Sequence, residues 1–300
     1  VEVPGTTVNR LCGSSLDAIG IATRAIASGE AELMIAGGVE SMSRAPFVMG
    51  KADSAFSRSA RIEDTTIGWR FVNPLMKFRH GTHSMPETAE NVAEEFGVSR
   101  ADQDAFALRS QQRWAAASAR GFFDSEIVPV DVLRKKGEPI HFAVDEHPRP
   151  DTSAERLAGL APLLPGGRIT AALASQVSDG AAALLVASDR AVDRYRLTPL
   201  ARVHTMAVVG SDPVLMLTGP IPATAAVLHR TGLSLADIDT VEINEAFASV
   251  VLAWADETGA DLARVNPQGG ALALGHPLGA TGARLMTTLV HRMRRDHLRY

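Results

Sequence analysis

A single thiol is the first candidate for chemistry in this sequence. Cys12 is the only cysteine among 300 residues, and it lies between an apolar, β-branched segment and a helical pattern. At such a junction the backbone N–H groups and the positive end of the helix dipole stabilise a thiolate, which predicts a lowered pKa and a nucleophilic sulfur. The alternative is a buried cysteine that acts as a small hydrophobic side chain, and position alone leaves both interpretations open.

A histidine and an asparagine in the last third of the chain could activate this thiol. His276 lies in the turn GHPLG, where Gly275 and Gly279 give the backbone freedom and Pro277 fixes φ. An imidazole held in this way can accept the thiol proton or donate a hydrogen bond to an oxyanion; the alternative is a turn histidine with only a local hydrogen bond. Asn244 stands at the end of a predicted strand, where its amide could orient a water or a substrate carbonyl.

The other acidic and imidazole side chains give weaker signals. Glu245 is interpreted as a helix-start acid, because the helix dipole favours negative charge there. His80 and His83 are close in sequence, but they have no companion cysteine and no convincing set of carboxylates. A solvated loop is therefore favoured over a metal site, and no metal is expected.

The elements that must position these residues alternate between strands and helices. Apolar spacing predicts strands at 3–11, 32–36, 181–187, 201–210 and 240–244, and helices at 13–28, 100–120, 222–230, 247–257 and 283–295. The segment 32–36 is nearly all apolar, as expected of a strand buried on both faces of a parallel sheet. When the two halves are aligned, the turn of Cys12 matches the turn of His276, which indicates an internal duplication. Each half lacks elements found in the other, and both absences fall at the chain ends, so we expect a sequence truncated on both sides.

The segment between the two halves has a different character. Residues 41–170 combine short helices, charged stretches and irregular proline-containing segments, and they are too many for a loop. We therefore predict an inserted lid domain at 41–170. An incomplete N-terminal half then consists of 1–40 and 171–195, and an incomplete C-terminal half consists of 196–300. The expected fold class is α/β.

Composition excludes several classes of protein. A hydrophobic fraction of 46% is sufficient for a packed core, and a net charge of -4 argues against a nucleic-acid-binding surface. No run of eighteen apolar residues and no signal-peptide pattern is present, so we expect neither a membrane span nor secretion, and we predict a cytoplasmic protein. One cysteine permits no internal disulfide.

Four motifs resemble those of one enzyme family, the thiolases, which include acetyl-CoA acetyltransferases and 3-ketoacyl-CoA thiolases. They occur in the family's order across nearly the whole chain: VNRLCGSSLDA, GGVESMSRAP, NEAFA and NPQGGALALGHPLGATGAR. The resemblance implies duplicated α-β-α-β-α layers with an inserted lid. It also implies that Cys12 accepts the acyl group and His276 activates it. Asn244 is similar to the residue that holds a catalytic water, which together with His276 forms an oxyanion hole.

Further positions resemble residues that contact coenzyme A in the thiolases. Ser175 in ALASQVSDG is similar to the serine that meets the pantetheine arm, and Ser84 and Met85 resemble the lid segment that lines the same tunnel. In this sequence a proline follows the methionine, where the family usually has glycine. The resemblance further implies that Phe247 walls the acyl pocket and that Gly275 lies beside the substrate. Coenzyme A is then a substrate, and no bound cofactor is expected.

The implied reaction is thiolytic cleavage of a 3-ketoacyl-CoA to acetyl-CoA and a shortened acyl-CoA, or the reverse Claisen condensation. The segment SDPVLMLTGPIPAT resembles thiolases that act on medium, long or steroid-derived acyl chains, as in fatty acid β-oxidation. Family members form dimers or dimers of dimers. The family's second catalytic cysteine, which acts as acid and base for the carbon next to the thioester, has no counterpart in a chain with one cysteine. A ketosynthase-like condensing enzyme and a non-catalytic acyl-CoA-binding relative are the alternatives.

Overall fold

The computed structural model describes residues 2–300, in which helices surround short antiparallel strand pairs. The helices are α1 (Ser14–Ala27), α2 (Pro74–His80), α3 (Met85–Glu95), α4 (Arg100–Ala119), α5 (Ala154–Ala158), α6 (Asp189–Tyr195), α7 (Pro220–Thr231), α8 (Ala248–Thr258), α9 (Ala271–Leu274) and α10 (Leu278–Asp296). The strands are β1 (Leu33–Ser41), β2 (Phe47–Met49), β3 (Ile62–Asp64), β4 (Val130–Val132), β5 (Ile140–Phe142) and β6 (Asp179–Ala187). None of the helices in residues 2–300 combines the length and the apolar composition that crossing a bilayer requires.

The longest strand pair joins β1 to β6. The two strands run antiparallel in continuous register from Leu33 opposite Ala187 to Ser41 opposite Asp179. One face of the pair packs on α1 and α10. The other face is accessible, since Ile35 is 77% exposed. The predicted strand at 181–187 is therefore confirmed, whereas the expectation of a parallel strand buried on both faces was wrong, because helices cover one face only.

Helix α10 lies directly against the backbone of β1 and α1. A Cβ atom added to Gly38 would come within 1.9 Å of the Gly279 carbonyl oxygen, and one added to Gly282 would come within 2.4 Å of the Leu16 nitrogen. Only glycine permits such an approach. The glycines of GGVES and GATGA thus bring the turn that precedes α10 next to the start of α1.

A second core joins the middle of the chain to its last third. Helices α3 and α4 pack against α8, and α4 also contacts α9. The buried side chains of this core include Phe106, Leu173, Val251, Trp254 and Leu272. Residues within the predicted lid thus also pack against the C-terminal third, and the division into 1–40 with 171–195, 41–170 and 196–300 stays a prediction.

Three predicted strands are absent from the described residues. Residues 3–11 and 201–210 have no strand ladder, and 240–244 forms only one parallel bridge, between Val241 and Val265. An extended segment becomes a strand only when a neighbour satisfies its backbone groups. Around Ile243 a side chain does this instead, because Asn266 accepts from its N–H and donates to its carbonyl, each at 2.8 Å.

The predicted helices are all present, with shifted ends. The helix predicted at 100–120 spans Arg100–Ala119 and begins, as expected, at the cap Ser99. The largest shift is in α10, which begins five residues before the predicted start at 283 because Pro277 serves as its N-cap. The earlier start places the first turn of α10 directly after His276.

Candidate active site

Cys12 lies in a tight turn at the start of α1. The turn is the 3₁₀-helix Leu11–Gly13, and Leu11 has a φ of +48°, a value that residues other than glycine rarely adopt. Ser14 holds the turn, since its hydroxyl accepts from the Arg10 N–H at 2.9 Å and donates to the Leu11 carbonyl at 2.7 Å. The thiol is therefore presented by a constrained backbone rather than by a regular strand end.

The predicted lowering of the Cys12 pKa was wrong. Part of the side chain is accessible to solvent, yet surrounding atoms displace enough water that desolvation raises the pKa of the thiol. The carboxylate of Glu40 adds to this rise, and a backbone hydrogen bond opposes it. The helix-terminus effect expected from the sequence is thus outweighed, and the resting side chain is a neutral thiol.

His276 is buried and held on both ring nitrogens. Its Nδ1 lies 2.6 Å from the Thr281 hydroxyl oxygen, and its Nε2 lies 3.2 Å from the Asn244 Nδ2. The Thr281 hydroxyl donates its own proton to the Pro277 carbonyl at 2.8 Å, so it must accept from Nδ1–H. The imidazole therefore carries its proton on Nδ1, and Nε2 presents a lone pair.

The Nε2 of His276 stays unprotonated over a wide pH range. Burial, assisted by the positive charge of Arg284, lowers the pKa of His276 to about 4. The ring is therefore neutral near pH 7. A neutral imidazole whose Nε2 is unprotonated and accepts only the 3.2 Å hydrogen bond from the Asn244 amide can exchange that bond for a proton, as a general base must.

Asn244 has spare hydrogen-bonding capacity beside the imidazole. Its Nδ2 is occupied by His276, whereas its Oδ1 is buried and has no hydrogen-bond partner within residues 2–300. Buried amide oxygens without a partner are uncommon and call for a water or a ligand group. A bound water that donates to this oxygen fits the role that the family resemblance implies for Asn244.

The turn of His276 is anchored to the segment that leads into β6. Gly275 has a φ of +88°, and a Cβ atom there would come within 2.3 Å of the Ser178 hydroxyl oxygen and 2.6 Å of His147. The Ser178 hydroxyl accepts from the His276 N–H at 3.1 Å. Gly275 thus allows the close approach that fixes the direction of the imidazole.

The sequence-predicted coenzyme A residues fall into two groups. Ser175 adjoins the NEAFA segment, because its N–H donates to the Ala246 carbonyl at 3.0 Å and Ala174 bridges to Phe247. Phe247 is buried in the second core, and Met85 packs against the same core. Phe247 and Met85 therefore share one apolar cluster, with Ser175 next to it.

Ser84 has a structural role at the start of α3. Its hydroxyl accepts from the Glu87 N–H, and the Glu87 carboxylate accepts from the Ser84 N–H at 2.6 Å, which completes a capping box. Pro86 lies in the first turn of this helix, where its missing N–H is tolerated. The replacement of the family's usual glycine by proline is therefore compatible with the helix start.

Glu245 was wrongly interpreted as a helix-start acid. It precedes α8 and is 1% exposed, and its carboxylate is the centre of a buried network. One oxygen accepts from the Ser110 hydroxyl at 2.7 Å and the Leu272 N–H at 3.1 Å, and the other accepts from the Asn266 amide at 2.9 Å. Local spacing gave no sign of this role, since its partners belong to other elements.

The turns of Cys12 and His276 meet where the two halves pack. The 3₁₀-turn of Cys12 contacts α10, whose first turn follows His276 directly. A hydrogen bond of 2.9 Å from the Ala283 N–H to the Ser15 hydroxyl holds this contact together. The Cys12 thiol and the His276 imidazole therefore come from opposite ends of the chain, and their turns are joined through α1 and α10.

This fold and these motifs define a family. Residues 1–190 match the family model for the thiolase N-terminal domain, and residues 197–300 match the model for the thiolase C-terminal domain. The chain belongs to the thiolase family, and it is an acyltransferase that acts on acyl-CoA. The match decides against the ketosynthase-like alternative.

The chain is similar to several named thiolases along nearly its whole length. The chain is 56% identical to a β-ketoadipyl-CoA thiolase of Acinetobacter baylyi, over 100% of this chain and 76% of that protein. It is 58% identical to a 3-oxoadipyl-CoA/3-oxo-5,6-dehydrosuberyl-CoA thiolase of Escherichia coli, over 100% of this chain and 75% of that protein. Human mitochondrial 3-ketoacyl-CoA thiolase, solved in complex with CoA, superposes with a TM-score of 0.88 at 40% identity, covering 99% of this chain and 73% of that one.

Proposed function

We propose that this chain cleaves 3-oxoacyl-CoA substrates whose acyl chain ends in a second carboxylate, through an acyl thioester on Cys12. The observation that carries the catalytic part is the buried, neutral His276, whose Nε2 lone pair is fixed by Asn244 and Thr281. The substrate class is supported by the names of two relatives that are 56% and 58% identical, both of which refer to 3-oxoadipyl-CoA or its synonym.

The first step is attack of the Cys12 sulfur on the keto carbon. His276 Nε2 accepts the thiol proton, because a neutral thiol must lose it to become nucleophilic. The oxyanion that forms is stabilised by a hydrogen bond from a water held at Asn244 Oδ1 and by the imidazole once it is protonated. Since the pKa of the thiol is raised and that of the imidazole is lowered, this transfer is unfavourable until a substrate is bound.

The second step breaks the bond between the keto carbon and its neighbour. The acyl group stays on Cys12 as a thioester, and the electron pair leaves with the carbon of acetyl-CoA, which then takes a proton. A coenzyme A thiol collects the acyl group from Cys12. The 300 residues contain no second cysteine to supply that proton, which must then come from water. Transfer of an acetyl group from acetyl-CoA to Cys12 releases a thiol instead of a carbanion, so it is the half-reaction to test in this polypeptide.

The remaining assignments are part of the same proposal. Ser175, Ser84 and Met85 contact the pantetheine arm of coenzyme A, and Phe247 with Gly275 borders the acyl group. Coenzyme A is a substrate, and no resident cofactor is required. We further propose a cytoplasmic homodimer or homotetramer, with a lid formed by 41–170.

Intact-mass analysis after mixing with acetyl-CoA tests the nucleophile. One acetyl adduct is expected on the unmodified chain, and none is expected on the Cys12→Ala variant. The adduct should form more slowly on His276→Ala, which keeps the thiol but lacks the base. A folded chain that remains unmodified between pH 6 and 9 would contradict the proposal.

A matched pair of substrates tests the acyl chain. 3-Oxoadipyl-CoA and 3-oxohexanoyl-CoA have the same number of acyl carbons and differ in the terminal carboxylate. Single-turnover release of acetyl-CoA should be faster with the dicarboxylic substrate. Equal rates would show that the terminal carboxylate does not determine substrate specificity. They would not contradict the role of Cys12.

A further inference from the structure

Glu40 lies near the end of β1, where the two halves of the site meet. Its Oε2 accepts from the Gly279 N–H at 2.8 Å, in the first turn of α10. Gly38 is two residues earlier and therefore on the same face of the strand. A Cβ atom on Gly38 would come within 2.8 Å of Ser15 and 1.9 Å of Gly279. This face of β1 is thus in contact with both α1 and α10, and Glu40 is the next side chain along it.

The carboxylate of Glu40 is also the charge that acts on the thiol. Its field raises the pKa of Cys12, in addition to the effect of desolvation. The arginines of the turn before α1 and of α1 itself lie close to an aspartate of the same helix. Arg10 pairs with Asp17 at 2.7 Å, and Arg24 lies 3.7 Å from the same aspartate.

The helix α10 contributes charges of its own. Arg284 lowers the pKa of His276 and lies 4.0 Å from the buried Glu242. Glu126 also faces this helix, through a 3.0 Å hydrogen bond from Thr288. Among the described residues, none of these groups influences the sulfur as Glu40 does.

We propose that Glu40 is a positioning residue that holds the first turn of α10, which follows His276, at the seam with the turn of Cys12, and that its charge there keeps the resting thiol protonated. The proposal rests on the assignment of Cys12 as the nucleophile. The Gly279 N–H keeps the carboxylate at this seam, so a thiolate that forms before substrate binding meets a like charge. A thioester carries no charge and is not opposed, and the acylated state is therefore favoured over the free thiolate.

The pH dependence of alkylation tests this role, because Cys12 is the only thiol in the chain. The rate with iodoacetamide follows the thiolate fraction, and its midpoint in the unmodified protein should lie above the value of about 8.5 for a free cysteine. In Glu40→Gln the midpoint should fall, and the rate near pH 7.5 should rise roughly three- to tenfold. Glu40→Asp retains the charge and should stay close to the unmodified protein.

The control is Glu32→Gln, which removes a carboxylate just before β1 that pairs with Arg190 at 2.9 Å. This variant should leave the midpoint unchanged. The same midpoint in Glu40→Gln as in the unmodified protein, or equal shifts in the Gln and Asp variants, would overturn the proposal. So would a midpoint at or below 8.5 in the unmodified protein, a measurement that needs no variant. Alkylation requires neither coenzyme A nor acyl transfer, so failure of the proposed function would show separately, as a missing acetyl adduct.

Discussion

Thr281 determines which nitrogen of His276 can act as a base. Its hydroxyl accepts from Nδ1–H at 2.6 Å and is 1% exposed, so no water replaces it easily. In Thr281→Val the side-chain shape is retained, but Nδ1–H loses its acceptor. The proton then moves to Nε2, where it can donate to Asn244 Oδ1 after rotation of the amide, because that oxygen has no other partner in the part of the chain that the structure describes. The imidazole would stay in place with the wrong tautomer.

The magnitude follows from the lost hydrogen bond. A buried donor left without its partner costs about 1–3 kcal/mol, which corresponds to a roughly 5- to 150-fold slower acetylation of Cys12. The initial rate of adduct formation by intact mass measures this change at pH 7, and the imidazole ¹⁵N shifts report the tautomer without any activity. Thr281→Ser restores the hydroxyl and should recover most of the rate.

The reasoning would be refuted if Thr281→Val acetylated at the rate of the unmodified protein. It would also be refuted if the ¹⁵N shifts still placed the proton on Nδ1 in the Val variant. A loss of rate shared equally by the Val and Ser variants would indicate packing rather than the hydroxyl. Alkylation by iodoacetamide controls for general access to Cys12.

Three further predictions concern buried carboxylates. Glu245→Gln should lower the free energy of unfolding by about 2 kcal/mol, because an amide replaces an anion that accepts three hydrogen bonds; an unchanged urea midpoint would contradict this. Gly270→Ala should destabilise by about 1–3 kcal/mol, since the new methyl group would lie 2.2 Å from the Glu245 carboxyl carbon, and thermal melting measures the loss. Burial raises the pKa of Glu242 to about 8, so its contribution to stability is present below about pH 4.5 and is lost as the pH rises towards 8. Glu242→Gln should therefore gain stability relative to the unmodified protein between pH 5 and 8, and a difference that is constant with pH would exclude this titration.

Most helices and the constrained turn of His276 could be predicted because their signals are local. Apolar spacing and the cap Ser99 locate α4, and the turn chemistry around His276 marks that residue as constrained. The missing strands show the limit of such signals. The β-branched content of 3–11 indicates an extended chain, but whether it forms a ladder depends on a neighbour that the local sequence does not specify.

Effects that arise between distant residues could not be predicted. The pKa of Cys12 is raised mainly by desolvation in the assembled fold and to a smaller extent by Glu40, whereas the helix-terminus argument considered only the flanking turn. The network around Glu245 includes Ser110, which is 135 residues away in the sequence. Burial of a carboxylate with three donors is a property of the assembled fold, and nothing in the local segment NEAFA distinguishes it from an ordinary acid near a helix.

The contact that joins the two halves affects when catalytic competence is acquired during folding and when it is lost during unfolding. Two of its hydrogen bonds, Gly279 to Glu40 and Ala283 to Ser15, link residues 239 and 268 positions apart. Closing loops of this length is entropically demanding, and such contacts form late during folding. Partial opening of this seam would separate the thiol from its base while most of the secondary structure persists. Acetylation competence is therefore expected to disappear at lower denaturant concentrations than helical circular dichroism, which makes Cys12 a reporter of docking between the halves.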